Sequence, residues 1–175
     1  MRPTYYEFPI RIENPESPDE LAAIRAVNAA AFGRIDEADL VDKLRADGHA
    51  LLSLIAVVKP GIVGHILFSR MWIKTSTGLV SAVALAPVAV LPEHQRKGLG
   101  GLLIQHGLQL LRARGERIVI VLGHPEYYLR FGFSTAKASS LESPFPPEAF
   151  MAMELSPGAL EGVQGRVIYP PAFGL

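Results

Sequence analysis

The stretch Val88-Ala89-Val90-Leu91-Pro92-Glu93-His94-Gln95-Arg96-Lys97-Gly98-Leu99-Gly100-Gly101 carries most of the chemical information in the chain. It runs from an apolar, β-branched segment through a polar, glycine-bearing loop into a helix start. At a helix start the first backbone N–H groups lack an intrahelical acceptor, and the macrodipole adds partial positive charge. Together these make an anion site, most naturally for a phosphate or pyrophosphate. Gly98 and Gly100 let the backbone approach the anion with no Cβ in the way. Arg96 and Lys97 add formal charge beside it. An ordinary strand-to-helix loop carries similar glycines, so the loop alone does not name its ligand. A Walker A loop, Gly-x-x-x-x-Gly-Lys-Ser/Thr, is absent. The dinucleotide fingerprint fails too: Gly98-Leu99-Gly100-Gly101-Leu102-Leu103 lacks the third glycine and falls late in the chain.

Few other side chains could do chemistry. The strand before the loop, Leu79 to Leu91, holds no acid and no histidine. His124 follows a short apolar strand, at the edge where ligands collect in such sheets, and an imidazole is well suited to move protons near neutral pH. The alternative for His124 is a loop histidine capping the next helix. The other histidines show no metal-ligand spacing. The chain has no cysteine, which excludes disulfides, thiolate metal sites and cysteine nucleophiles.

The elements that must position these residues are legible from spacing. Tyr5 to Ile12 predicts a first strand. Ser17-Pro18-Asp19-Glu20 predicts a helix start, with serine as N-cap, proline in the first turn and glutamate closing a capping box. Leu21, Ile24, Val27 and Ala31 recur at helical spacing until Gly33. A second helix from about Asp36 presents Leu40, Val41 and Leu44 and ends at Gly48. Its Asp36, Glu37, Asp39 and Asp42 read as a solvated face.

Three strands follow: Leu51–Val58, Ile62–Ile73 with Gly64 at a bulge, and Leu79–Leu91. Their short connections, Lys59-Pro60-Gly61 and Thr75 to Gly78, dictate an antiparallel meander. Pro87 donates no ladder hydrogen bond, so pairing must fail there. Leu102, Leu103, Ile104, Leu108, Leu110 and Leu111 form the apolar face of a helix closed by Gly115. Ile118–Leu122 is a buried strand, and the intervening helix implies a parallel pair with a right-handed crossover. The expected fold is therefore α+β, a mixed and mostly antiparallel central sheet flanked by helices. Residues 1–175 read as one domain with a proline-rich C-terminal part, 134–175. There, Met151–Leu155 and Arg166–Tyr169 predict two more strands, which either complete the sheet or pair with a second copy in a homodimer.

Seventeen basic and seventeen acidic residues cancel, so nothing in the charge points to nucleic acid or an acidic membrane surface. No apolar run approaches the roughly 20 residues that span a bilayer. No secretory signal segment is recognisable, and the expectation is a soluble cytoplasmic protein.

Gln95-Arg96-Lys97-Gly98-Leu99-Gly100 resembles the Gln/Arg-x-x-Gly-x-Gly/Ala signature of the GNAT superfamily of N-acetyltransferases. Val90-Leu91-Pro92 is similar to the hydrophobic strand end and proline before that signature. Tyr128-Leu129-Arg130-Phe131-Gly132-Phe133 resembles the second landmark, a tyrosine followed by a Gly-Phe pair. The likeness in element order runs from about Leu51 to Phe133. It is closest to a sparsely characterised bacterial-type branch with Gly-His/Asp-Pro-x-Tyr-Tyr before the Gly-Phe pair. Pro144 to Phe150 and Tyr169 to Phe173 resemble that branch as well.

The resemblance implies acetyl-CoA as co-substrate and an amine, small or peptidyl, as acceptor. It implies a CoA pyrophosphate on the amides of Gln95, Arg96, Lys97, Gly98, Leu99, Gly100 and Gly101, and a pantetheine arm along Val88, Ala89 and Val90. The Val88 N–H would face the thioester oxygen, and Tyr128 would protonate the departing thiolate. The amine would attack directly, in keeping with the absence of cysteine. Tyr127 reads as packing or acceptor contact, and Gly132 and Phe133 as structural. Many relatives carry a glutamate on the strand before the loop; its absence leaves the base open, with His124 as candidate. Helices one and two border the acceptor site in related folds, which gives the acids from Asp36 to Asp42 a second reading as amine recognition. Two alternatives stand beside the transferase: a catalytically silent CoA-binding module, and a nucleotide-binding enzyme.

Overall fold

Residues 9–175 are described in the computed structural model. The first strand, β1, covers Ile10–Ile12, and residues 5–8 of the predicted strand lie outside the described residues. Helix α1 (Pro18–Phe32) starts as its sequence dictates: Ser17 Oγ accepts from the Glu20 N–H at 3.2 Å, with Pro18 in the first turn. The capping box closes only half-way. The Ser17 N–H is already taken by the Asn14 carbonyl at 3.1 Å. The Glu20 carboxylate therefore accepts from the Asn14 N–H (2.6 Å) and pairs with Arg11 (3.0 Å). Helix α2 (Asp36–Ala46) packs against α1 through Val41 and Leu44. Its acids are engaged: Asp39 and Asp42 each meet Arg25 at 2.7 Å, and Glu37 and Asp36 meet Arg34.

Strands β2 (Ala50–Val58), β3 (Gly61–Thr75) and β4 (Gly78–Val90) form the predicted antiparallel meander. The register steps from Ala56↔Gly64 to Val57↔Ile62, so the bulge falls on Val63, beside Gly64. A second step, from Ile66↔Val88 to Phe68↔Leu85, puts one extra residue into β4 at Ala86-Pro87. This is the break that proline required. Helix α3 (Leu99–Ala113) crosses to β5 (Ile118–Leu122), which lies parallel to β4 at Val83↔Val119 and Ala84↔Ile120. A single-turn helix, α4 (Pro125–Tyr128), and a 3-10 turn over Leu129–Phe131 follow.

The C-terminal part adds β6 (Leu141–Glu142), β7 (Phe150–Glu154) and β8 (Gly165–Ile168). Strand β7 pairs antiparallel with β5. Strand β8 pairs with β3 at Trp72–Lys74, beyond the residues that β2 occupies, and β6 pairs with β8. The two predicted late strands thus complete the sheet within the chain. The order β1-β2-β3-β4-β5-β7 is mixed and mostly antiparallel, with helices on both faces. On one face, Leu99, Leu103, Leu108 and Leu111 of α3 bury against Leu52, Leu54, Phe68 and Val83. Leu102 and Leu110, expected on that face, lie half-buried at its margins.

On the other face a polar chain runs through the apolar core. Asn28 Nδ2 donates to His65 Nδ1 (3.0 Å), and His65 Nε2 lies 2.8 Å from Ser53 Oγ. Ser53 Oγ donates to Glu13 (2.7 Å), whose carboxylate also pairs with Arg45. Ser53 gives its proton to Glu13, so it must accept from His65, and the imidazole carries hydrogen on Nε2. His65 is fully buried, and burial pulls its pKa down to about 3. Above pH 6.5 the imidazole is neutral in both folded and unfolded chains. Below it the unfolded chain binds a proton that the folded chain refuses, so stability falls as pH drops from 6.5 toward 3. Between pH 7 and pH 5 this linkage should cost about 2 kcal/mol. Denaturant titrations at the two pH values should show the loss, and His65→Gln should remove that pH component.

Candidate functional site

The break at Pro87 leaves half a strand without a neighbour. Strand β5 pairs with β4 only at Val83 and Ala84, so Val88-Ala89-Val90 has β3 on one side and no strand on the other. The hydrogen-bond phase settles which groups face the opening. The Leu91 N–H donates to Val63 O at 2.9 Å, making 63/91 a hydrogen-bonded pair. In an antiparallel ladder such pairs alternate, so Ala89 bonds to His65 while Val88 and Val90 turn their N–H and C=O groups away from β3. The Gln95 side chain confirms the direction: its amide donates to the Val90 carbonyl at 2.9 Å. Gln95 thereby ties the loop back to the strand end.

Past Gln95 the chain turns sharply. Arg96 (φ 61°) and Gly98 (φ 82°) both hold the left-handed conformation. For a non-glycine residue that conformation costs about 1 kcal/mol or more. Gly98 is the N-cap of α3, and no side chain caps it. The first helical bond runs from the Leu102 N–H to Gly98 O at 3.1 Å. The N–H groups of Leu99, Gly100 and Gly101 therefore have no helical acceptor. Three free donors at the positive end of a 15-residue helix face a cavity of about 640 Å³.

The opposite wall comes from the turn after β5. Tyr127 lines the cavity with its hydroxyl against Gly100, 3.1 Å from where a Cβ would sit. The Arg130 guanidinium lies over the Tyr127 ring, 4.6 Å from its centroid, and its Nε donates to the Tyr127 carbonyl at 3.2 Å. Among the described residues no carboxylate pairs with Arg130 or Arg96. Two cations and an uncapped helix end share one cavity with no acid in its wall. Such a site favours an anionic ligand over a cationic one.

Of the predicted residues, Val88, Val90, Gln95, Arg96, Gly98, Leu99, Gly100 and Gly101 come together around this cavity. Ala89 is buried on the far face of its strand, opposite His65, and Lys97 is exposed outside the wall. Tyr128 lies beneath Tyr127, its ring perpendicular at 5.0 Å, and packs on Phe133. Its ring also fills the space over Gly123, where a Cβ would fall 2.4 Å from Cε2. This puts Tyr128 at the end of β5, outside the cavity wall, whereas Tyr127 lines the wall beside the start of α3. Burial raises the Tyr128 pKa to about 12. His124 is exposed at the N-cap of α4; its carbonyl, and not its ring, caps the turn, accepting from Tyr127 and Tyr128 N–H at 3.1 Å. Its side chain is no part of the cavity wall.

Arg130 and Phe131 are wall residues to which motif reading gave no role, and Tyr127, read as packing or acceptor contact, lines the same wall. The i, i+3 spacing of Tyr127 and Arg130 on one turn was the available signal. Among the described residues no group of histidines and acids could hold a metal ion. Among the described residues, no helix is long and apolar enough to cross a membrane.

A family model described as an acetyltransferase (GNAT) domain matches residues 14–136. The uncharacterized N-acetyltransferase YjhQ of Escherichia coli K12 is 40% identical over 153 residues, covering 85% of this chain and 83% of that protein. The crystal structure of the GNAT family N-acetyltransferase YhbS from Escherichia coli, in complex with CoA, superposes with a TM-score of 0.85 at 34% identity. It covers 95% of this chain and 92% of that one. A GNAT family acetyltransferase from Brucella melitensis in complex with acetyl-CoA gives 0.78 at 36% identity, covering 94% and 97%.

The geometry predicts anion binding independent of any catalysis. Inorganic pyrophosphate should raise the melting temperature, less so as salt is added. Arg130→Gln should weaken that binding about tenfold, the usual scale for one charge-assisted contact. Calorimetric titration of both proteins measures the difference.

Proposed function

The chain belongs to the GNAT family of N-acetyltransferases, and we propose that its cleft binds acetyl-CoA and passes the acetyl group directly to an amine. One observation carries this reading: the free edge of Val88–Val90 leads straight to the uncapped N-terminus of α3. A ligand that fits has an extended, amide-bearing arm at one end and a pyrophosphate at the other. The arm would exchange hydrogen bonds with Val88 and Val90. The pyrophosphate would take the N–H groups of Leu99, Gly100 and Gly101, with Arg96 and Arg130 beside it. The CoA and acetyl-CoA bound by the YhbS and Brucella proteins support the assignment.

In the proposed reaction the amine nitrogen attacks the thioester carbonyl carbon. The carbonyl oxygen takes up negative charge, and the Val88 N–H, aimed into the opening, stabilises it. Loss of one such donor costs about 100- to 1000-fold in other enzymes. The tetrahedral intermediate then breaks its C–S bond, and the thiolate leaves. Tyr128 is the proposed acid for that thiolate. Its position over Gly123 favours the thioester end of the cleft, and its raised pKa keeps the phenol protonated at neutral pH. The amine proton leaves through water, with His124 at the exposed end of β5 as the proposed acceptor. A location in the cytoplasm is part of the same proposal.

The acid-free β4 gives the silent CoA-binding module its one supporting observation. The two readings separate in a thiol-release assay with a panel of amines.

Acetyl-CoA at 100 times its dissociation constant should stabilise the protein by about 2.7 kcal/mol, a rise of roughly 5–10 °C. ATP and NAD should give no shift; a shift with these and none with CoA would return the loop to nucleotide binding. Gly98→Glu should abolish the acetyl-CoA shift, since a carboxylate at the helix end repels phosphate. Tyr128→Phe should retain the shift and slow turnover; unchanged turnover would remove Tyr128 as the acid.

A further inference from the structure

The open edge of β4 and the free amides of α3 belong to different layers, so the distance between them is set by how α3 seats on the sheet. Two glycines shape that seat. Gly107 lies buried within α3, where glycine is among the poorest helix formers. It faces the ring of Phe68 on β3, and a Cβ there would fall 2.5 Å from Cζ and closer still to Cε2. Phe68 is fully buried in the core with Leu52, Leu85, Leu103 and Leu108, so its ring has no free space to swing into. Gly64, earlier on the same face of β3, is the reverse case. There the helix supplies the side chains: a Gly64 Cβ would fall 3.1 Å from Leu103 Cδ1 and 3.4 Å from Leu99 Cδ2. Leu103 and Gly107 stand about one turn apart on one face of α3, as Gly64 and Phe68 share one face of β3. Helix and strand are thus keyed into each other twice, in opposite senses. The two keys straddle the break in the ladder. Gly64 pairs with Val90, on one side of the extra residue at Ala86-Pro87, and Phe68 pairs with Leu85, on the other.

We infer that Gly64 and Gly107 are positioning residues, which hold the amides of α3 at the distance from Val88 and Val90 that one ligand can span. This rests on the acetyl-CoA reading above, in which a single molecule contacts both. A ligand gains affinity from its second contact only when the spacing of the two half-sites fits its own length. Phe68 cannot yield to a methyl group at Gly107, so α3 must lift or slide. The amides move with the helix, while the strand edge stays with the sheet. Each half-site survives, and the match between them is lost. Neither glycine lines the cavity, so neither acts by touching the ligand.

Calorimetric titration of the full chain with CoA and, separately, with inorganic pyrophosphate tests this. Gly107→Ala should weaken CoA about tenfold and leave pyrophosphate within about twofold of the unaltered protein, because pyrophosphate needs only the helix end. The double variant Gly107→Ala, Phe68→Leu makes room for the methyl group and should bring CoA back to within about twofold. Phe68→Leu alone should lower the melting temperature and leave both ligands unchanged, which separates spacing from stability. Should Gly107→Ala fail to fold, Gly64→Ala carries the same test: its neighbours need give only slightly, and CoA should weaken about threefold with pyrophosphate unchanged. Unchanged CoA binding, an equal loss of CoA and pyrophosphate, or a double variant as weak as Gly107→Ala would overturn the inference. An unaltered protein that binds pyrophosphate and not CoA would instead overturn the acetyl-CoA reading, and the inference with it.

Discussion

A strand inside a sheet normally spends its backbone hydrogen bonds on two neighbours. Strand β4 cannot, because the extra residue at Ala86-Pro87 shifts the ladder, and β5 follows only as far as Ala84. The proposed function hangs on that lost partner. It opens the sheet, turns the N–H of Val88 toward the opening, and aims the chain at Pro92 and the loop beyond. An intact β4–β5 pair would satisfy those groups internally and leave nothing for a ligand to replace.

Positive charge is gathered on the wall of that opening. The donor cleft gathers Arg96, Arg130 and three unpaired helix N–H groups, and no acid. Other charges close into ion pairs, as Arg25 does with Asp39 and Asp42, and Arg70 with Glu116, while exposed acids such as Glu16, Asp19 and Glu126 have no such partner among the described residues. Unmatched charge on a folded surface is common; unmatched charge lining a concave wall is a preference for a ligand of the other sign.

Much of the architecture was legible because its causes are local. Periodicity located the helices and the meander, Pro87 located the break, and the short apolar run Ile118–Leu122 located the parallel strand. The loop motif placed eight of its predicted residues around one cavity. The misses have a common origin in competition between groups. Glu20 was expected to cap Ser17, but the Ser17 N–H had already been taken by Asn14. Lys97 shares its neighbours' charge, yet the turn at Arg96 and Gly98 leaves it outside the wall. The two adjacent tyrosines look alike in sequence. Folded, one covers Gly123 and the other reaches Gly100.

The sequence by itself determined the element order, the interrupted strand and the glycine-bearing helix start, because each follows from a residue's own conformational limits: proline without an N–H, glycine without a Cβ, apolar side chains at a fixed period. It also determined the family, through two short motifs that occur in the right order. Only the tertiary structure decided how these parts meet. The phase of hydrogen bonding on β4 depends on β3, and the meeting of Arg130 with the α3 start in one cavity wall depends on the crossover between them. The state of His65 depends on Asn28, Ser53 and Glu13, which are scattered along the chain. The seat of α3 on the sheet depends on Gly64 and Phe68 meeting Leu103 and Gly107. Such contacts join residues far apart in the chain, and no local conformational preference encodes them.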